Sequence, residues 1–269
     1  MKRIVAPSDV LQAATRVEPV IVPLDRHAYT GLDGETSPHD VIVATTSQER
    51  MLAYRLRYRV LVEELCHQSP EDQPAGMETD AFDGYAEQAL LVHRDSGRVS
   101  GTVRLILPHP SLAPGSFPSQ TLCPDPRLSD PDFLPLARTA EVSRFILAPD
   151  ARGGGFSSGD TDEDRQRSRI RVYNLTVGLA KAVIRMSVEN QVHHLVAIMA
   201  PSLLRLLGRL GIHFHPVGPA VQYNGLRQPC HASVRDILER AAAERPDVWE
   251  VISANGDYWD IYRDYAGAD

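Results

Sequence analysis

A run that reads as a β-strand, AEVSRFILAP (residues 140–149), carries Glu141 and Arg144 where most strands bury aliphatic carbon. Gly153, Gly154 and Gly155 follow shortly after it. Strand side chains alternate between faces, so ideal geometry puts Glu141 and Arg144, three residues apart, on opposite sides of a sheet. A β-bulge between them would bring both into one cleft. The rest of the chain therefore has to give the carboxylate something to act on and the glycines something to approach.

The neighbouring segments supply a sheet for this strand. DVIVAT (40–45) reads as an edge strand. SQERMLAYRLRYRVLVEEL places Leu52, Leu56, Val60 and Leu65 at helical spacing, with Ser47 as its expected cap. QALLVHRDSGRVSGTVRLILP reads as two strands joined by a turn at Asp95–Gly97. Eight prolines between Pro108 and Pro135 predict a long irregular segment. After AEVSRFILAP come a polar loop over 150–169, a helix over 170–190, a strand at VHHLVAIMA, a short helix at PSLLRLLGRL with Pro201 at its start, and a strand at IHFHPVG. Residues 216–229 read as punctuated loop, and helical pieces follow to the end. Two strands, a long helix, then strand–helix–strand predict a mixed α/β sheet. The expected organisation is an N-terminal arm over 1–40, a main domain over 41–230 and a C-terminal helical extension over 231–269.

Several functions are disfavoured at this level. A net charge of −7 argues against a nucleic-acid surface. No apolar stretch nears the roughly 18 residues of a membrane span, and the N-terminal residues lack the apolar run of a signal peptide. Cys66, Cys123 and Cys230 form no CxxC pair and read as free thiols of a cytoplasmic protein. No GxGxxG joins a strand to a helix, and RGGGFSSG lacks the Lys-Ser/Thr ending of a P-loop. His213 and His215 would share a strand face but show no third ligand, and the acidic run METDAFD lacks EF-hand spacing, so no metal site is expected.

Three blocks together resemble the autoinducer-synthase-like branch of the GNAT N-acyltransferases. RYRVLVEELCH supplies Arg57 and Leu61, METDAFD supplies Glu78, Asp80 and Asp83, and GTVRLILP with EVSRF supplies Arg104, Glu141, Arg144 and Phe145. Their order and spacing agree from about residue 50 to 227. The stretch LLRLLGRLGIHFHPVGPAVQYNGLRQP and the later ERPDVWEVI are similar to a subgroup associated with the PEP-CTERM/exosortase system. One departure stands out: His67 occupies a position where the lactone synthases usually carry a tryptophan beside S-adenosylmethionine.

The resemblance implies a GNAT-like α/β fold, with a mixed, largely antiparallel sheet that splays near residues 141–147 and is flanked by helices. It implies transfer of a fatty acyl group from an acyl carrier protein or acyl-CoA thioester to a small amine such as an amino acid, with no tightly bound cofactor. Glu141 is then the candidate base, with Arg144 and Arg104 beside it; the alternative for Glu141 is a plain ion pair with an arginine. Arg57, Leu61, His67, Glu78, Asp80 and Asp83 would bind the acceptor's ammonium or orient the arginines. Phe145, Ile146, Leu147 and Gly153–Gly155 would meet the acyl donor. Arg165, Arg167, Arg169 and Arg171 would face an acidic carrier protein or counter Asp160, Asp162, Glu163 and Asp164. An acyl-homoserine-lactone synthase using S-adenosylmethionine is the second reading. A noncatalytic regulator that binds acyl carrier protein or lipid is the third.

Overall fold

In the computed structural model, which describes residues 38–109, 111, 115–153 and 161–263, the strands around the charged run form one sheet. Its members are β1 (His39–Val43), β2 (Ala86–His93), β3 (Val99–Ile106), β4 (Thr139–Leu147), β5 (His194–Met199), β6 (His215–Pro216), β7 (Val221–Gln222) and β8 (Leu226–Ser233). The order is β1-β2-β3-β4-β5-β8-β6, with β7 paired to β8. The helices are α1 (Ser47–Tyr58), α2 (Pro118–Leu122), α3 (Asp162–Glu189), α4 (Pro201–Arg209), α5 (Val234–Glu244), α6 (Pro246–Ile252) and α7 (Asp257–Arg263). All main-path pairings are antiparallel except β4 with β5. This is the GNAT-like fold, and β1 is its edge strand as its position in the sequence implied.

The parallel β4–β5 pairing covers only Thr139–Val142 against His194–Ala197. Beyond it both strands continue without each other, so the sheet opens into a wedge at Ser143. One face, with Ala140, Val142, Leu105 and Ala197, packs under α3 and the C-terminal helices. The other carries Ile42, Leu90 and Ile146 under α1, and Ile106 and Val196 under the proline-rich segment.

Several local expectations change. The cap of α1 is Thr46, not Ser47: its hydroxyl accepts from the Glu49 N–H, and the Glu49 side chain reaches back to the Thr46 N–H. Past α1, residues Arg59–Glu64 form a π-helical turn. Helix α3 begins at Asp162, so residues 162–169 are helical rather than loop. Its first two turns are exposed, and Thr161, Asp164 and the acidic first turn start it without any apolar stripe to reveal it. There Arg165 faces Asp162 and Arg167 faces Glu163, each at 3.6 Å. Only His215–Pro216 of the expected IHFHPVG strand is extended.

β8 was hidden by Pro229. Its carbonyl accepts from the Val217 N–H, so the missing N–H points to the short β6 side and the pairing with β5 is intact. β8 runs straight into α5 and so joins the sheet to the C-terminal helices, across residues 230 and 231. The proline-rich segment is irregular as expected, apart from α2 and short 3₁₀ turns.

Gly101, on β3, leaves no room for a side chain beside β4. A Cβ there would lie 3.0 Å from the Ile146 carbonyl oxygen and 3.1 Å from Leu147 Cδ2. Gly101→Ala is therefore expected to lose about 1–3 kcal/mol, measured by urea unfolding, because neither strand can retreat without opening the sheet.

Candidate active site

The wedge begins where β4 breaks its alternation. Thr102 pairs with Ile146 and Arg104 with Ser143, so Arg144 and Phe145 together oppose Val103 in a β-bulge. Arg144 takes a left-handed backbone, φ 50°, an unfavourable region for a side-chain-bearing residue. The extra residue re-phases the strand. Glu141, Ser143, Arg144 and Ile146 then share one face, while Val142, Phe145 and Leu147 turn to α3.

Arg144 meets a buried ion network on that face. Arg57, from α1, donates from Nε to Glu78 at 2.5 Å and from its two terminal nitrogens to Asp83 at 2.7 and 2.9 Å. Arg104, from β3, holds Asp80 at 2.6 and 3.0 Å, Asp83 at 2.9 Å and the Ser143 hydroxyl at 2.9 Å. Arg144 donates to Glu78 at 2.5 Å and to Asp80 at 2.9 Å. Arg57, Arg104 and Glu78 have no exposed surface. Gln68 and Gln88 add hydrogen bonds to Glu78 and Asp83. Three guanidiniums balance three carboxylates, and each carboxylate bridges two arginines.

Burial pushes the Glu78 and Asp83 carboxyls up, but their arginines outweigh it and hold both near pKa 2. Burial likewise lowers Arg144, and the hydrogen bonds and charges of Glu78 and Asp80 overcome it. Local chain geometry presents these acids. Asp80 caps the 3₁₀ turn Ala81–Tyr85, and Asp83 reaches back to the Asp80 N–H. The hydrogen bonds thus set the acidic run on the three arginines.

Glu141 stands apart from that network. It is buried, and its Oε2 accepts from the Ser119 N–H at 2.8 Å rather than from an arginine. The expected alternative, a surface ion pair, is not what the structure contains. Burial raises its carboxyl to about 7, against the lowering effects of Ser119, Arg104 and Arg144. A carboxyl with that value is a usable proton acceptor near neutral pH. Ser119 is a site residue that the sequence pattern did not reveal. It lies in the proline-rich segment, and only the packing of α2 against β5 and the sheet brings it to Glu141.

The remaining candidates are distributed more widely. Leu61 sits in the π-helical turn and packs beside the Leu56–Val60 cluster. The His67 N–H donates to the Leu61 carbonyl at 2.8 Å, at the far end of that turn. Phe145 and Leu147 face α3 whereas Ile146 is buried under α1, so these three do not line one surface. Gly153, at φ 75°, lies against α3, where a Cβ would come within 3.1 Å of Ser168 Oγ. The glycine run is thus nearer the helix than the sequence implied; Gly154 and Gly155 lie outside the described residues. Among the described residues no group of three or more His, Cys, Asp or Glu could hold a metal ion, and no helix is long and apolar enough to cross a membrane. Cys66, Cys123 and Cys230 are free thiols.

Missed as well was a hairpin formed by β7 and β8 around Tyr223, Asn224 and Gly225. Its signal is the Asn-Gly pair, both residues of which take a positive φ, 49° and 93°, in a three-residue loop.

Residues 56–159 match the acetyltransferase (GNAT) domain family. The search of curated proteins found no match. Among solved structures the chain is similar to TofI in a ternary complex with an inhibitor and MTA, at 23% identity over 79% of this chain and 100% of that one, TM-score 0.52. It is similar to the AHL synthase LasI at 19% identity over 73% and 90%, TM-score 0.50. FeeM, an N-acyl amino acid synthase from uncultured soil microbes, aligns at 14% identity over 77% and 97%, TM-score 0.50. At these identities the likeness establishes the fold.

Proposed function

We propose that this GNAT-fold acyltransferase moves an acyl group from a thioester to the amine of an α-amino-acid-type acceptor. The observation that carries the reading is the isolated, buried Glu141, poised near neutral pH on the same sheet face as the arginine network and next to the open wedge. Ionised Glu141 takes the proton from the acceptor's ammonium, directly or through water. The freed amine attacks the thioester carbonyl, the C–N bond forms and the C–S bond breaks, and the second proton lost by the nitrogen passes to the departing sulfur, which leaves as the thiol. Holding amine and carbonyl together removes the need for a covalent enzyme intermediate.

The wedge offers the donor's arm a free strand edge. Past Val142, β4 has no β5 partner, so its backbone groups can bond an extended pantetheine arm. Behind them Val142, Phe145, Leu195, Met199, Phe214 and Ile252 line an apolar space of about 20 Å³. That holds little more than one small group, so a fatty chain has to part these side chains. Coenzyme A and acyl carrier protein both present the required arm.

Two acceptors share the α-amino carboxylate. Similarity to the AHL synthase structures supports S-adenosylmethionine, and hence a homoserine-lactone product. His67, where those synthases resemble one another in a tryptophan, supports a free amino acid and the reading closest to FeeM. Acyl-CoA or acylated carrier protein is to be incubated with the protein, the amino acids and S-adenosylmethionine, and the products weighed by mass spectrometry. One amide-linked acyl product is expected: an acyl-homoserine lactone assigns the first acceptor and an N-acyl amino acid the second. Thiol release with water as sole acceptor would make the protein a hydrolase, and donor binding without turnover would make it a regulator.

A further inference from the structure

The β7–β8 hairpin brings a guanidinium to the wedge that the chemistry above does not use. β8 pairs with β5 as far as Gln228 opposite Met199. Arg227 and Leu226 therefore run past the end of β5, into the region where β4 has parted from it. Along β8, Cys230 and Ala232 face the α3 side, so Arg227, Pro229 and His231 face the other. His231 pairs across to Val196, and Val196 to Glu141. Arg227 thus projects on the face of Glu141 and the ion network, at its open end.

Its electrostatic setting differs from that of the other three arginines. Arg57, Arg104 and Arg144 are each satisfied by two carboxylates, which leaves no net charge for an anionic substrate. Arg227 is half-buried and donates to its neighbour's Leu226 carbonyl at 3.2 Å; among the described residues it has no carboxylate partner. Burial, and after it the charge of Arg227, lower the His67 imidazole from its ordinary value, which favours a neutral ring. Gly225 leaves room for this arrangement, since a Cβ there would sit 3.3 Å from Arg227 Nη1.

We propose that Arg227 binds the carboxylate of the α-amino-acid acceptor, holding its amine toward Glu141. The inference rests on the acyl-transfer reading and names the recognition element within it. A planar guanidinium can take a carboxylate through two parallel hydrogen bonds, which fixes the direction of the attached amine. S-adenosylmethionine and free amino acids both carry that group, whereas simple alkylamines do not.

The test is Arg227→Gln, which keeps most of the stem, with its fold checked by circular dichroism. The probes are the protein amino acids and S-adenosylmethionine, each beside its carboxylate-free counterpart: the amino-acid amide, or decarboxylated S-adenosylmethionine. Losing a charged hydrogen-bond pair is expected to raise the acceptor's KM about 10- to 100-fold, with the thioester's KM unchanged. The carboxylate-free probe should react equally well with both proteins. Calorimetric titration without thioester should show the same loss for the acid. Equal losses for acid and amide, an unchanged acceptor KM, or wild-type protein that binds neither acid would overturn the assignment. If the acid binds through Arg227 but no acyl product forms, the carboxylate site stands and the acyl-transfer reading falls.

Discussion

Glu141→Gln is expected to lower acyl transfer by about 10²-fold or more while leaving the protein folded. Glutamine keeps the shape, and its amide oxygen can still accept from the Ser119 N–H, but it accepts no proton at neutral pH. In the wild type the rate, corrected for the acceptor's free-amine fraction, should rise with pH through about 7, the value to which burial moves this carboxyl, and then level off. In the variant that rise should vanish. Stability should move the opposite way. A raised folded pKa means that the neutral carboxyl is the favoured form, so its stability is fully present below about pH 4.5 and is lost as pH rises through about 7. The charged form then costs the fold about 3 kcal/mol. Glutamine does not titrate, so at pH 8 the variant should unfold at a urea concentration no lower than the wild type. Near-normal turnover would remove Glu141 as the base, and a variant that fails to fold would make its role structural.

Arg57→Met should have the largest effect on stability, a loss of about 3–5 kcal/mol. Methionine fills much of the volume, yet it strips Glu78 and Asp83 of one of their two cations in the buried part of the cluster. The cost comes from the carboxylates left behind rather than from the worth of the pair itself. Arg57→Lys should fall between the two, because it restores the charge without the fork that spans Asp83. The gap is pH-dependent with a definite sign. Glu78 and Asp83 have folded values near 2, below their ordinary 4.5 and 3.8. Their contribution is therefore present above those ordinary values and lost as pH falls through about 2. The difference between wild type and Arg57→Met should be full at pH 7 and shrink in acid. A constant difference from pH 7 to pH 3 would mean that packing, not charge, sets it.

Much of the sheet and the charged positions could be read directly from the chain. Apolar runs marked β2 to β5, Glu141 and Arg144 stood out because their neighbours are apolar, and the family resemblance picked out the acidic run and the other arginines. Elements without an apolar signature were not legible. The first turns of α3 begin on a capping box in solvent, and β8 contains a proline. The Tyr223–Gly225 hairpin was legible in principle, since Asn-Gly is a turn signal, but β7 is only two residues long and β8 contains a proline.

What the sequence determined by itself was the inventory: a strand that carries Glu141 and Arg144, an acidic run ahead of it, and arginines on a helix and a neighbouring strand. These follow from periodicity and residue type, which are local. Tertiary structure decided what each charge does. The bulge at Arg144 turned two residues of opposite phase onto one face, a result of register against β3 that no single strand encodes. The same packing gave every acid of METDAFD two arginines and gave Glu141 none, only the Ser119 amide from a distant irregular segment. A carboxylate's proton affinity depends on which charges and dipoles reach it in a low-dielectric interior. Carboxyls of one chain thus came to lie near 2 at Glu78 and Asp83 and near 7 at Glu141.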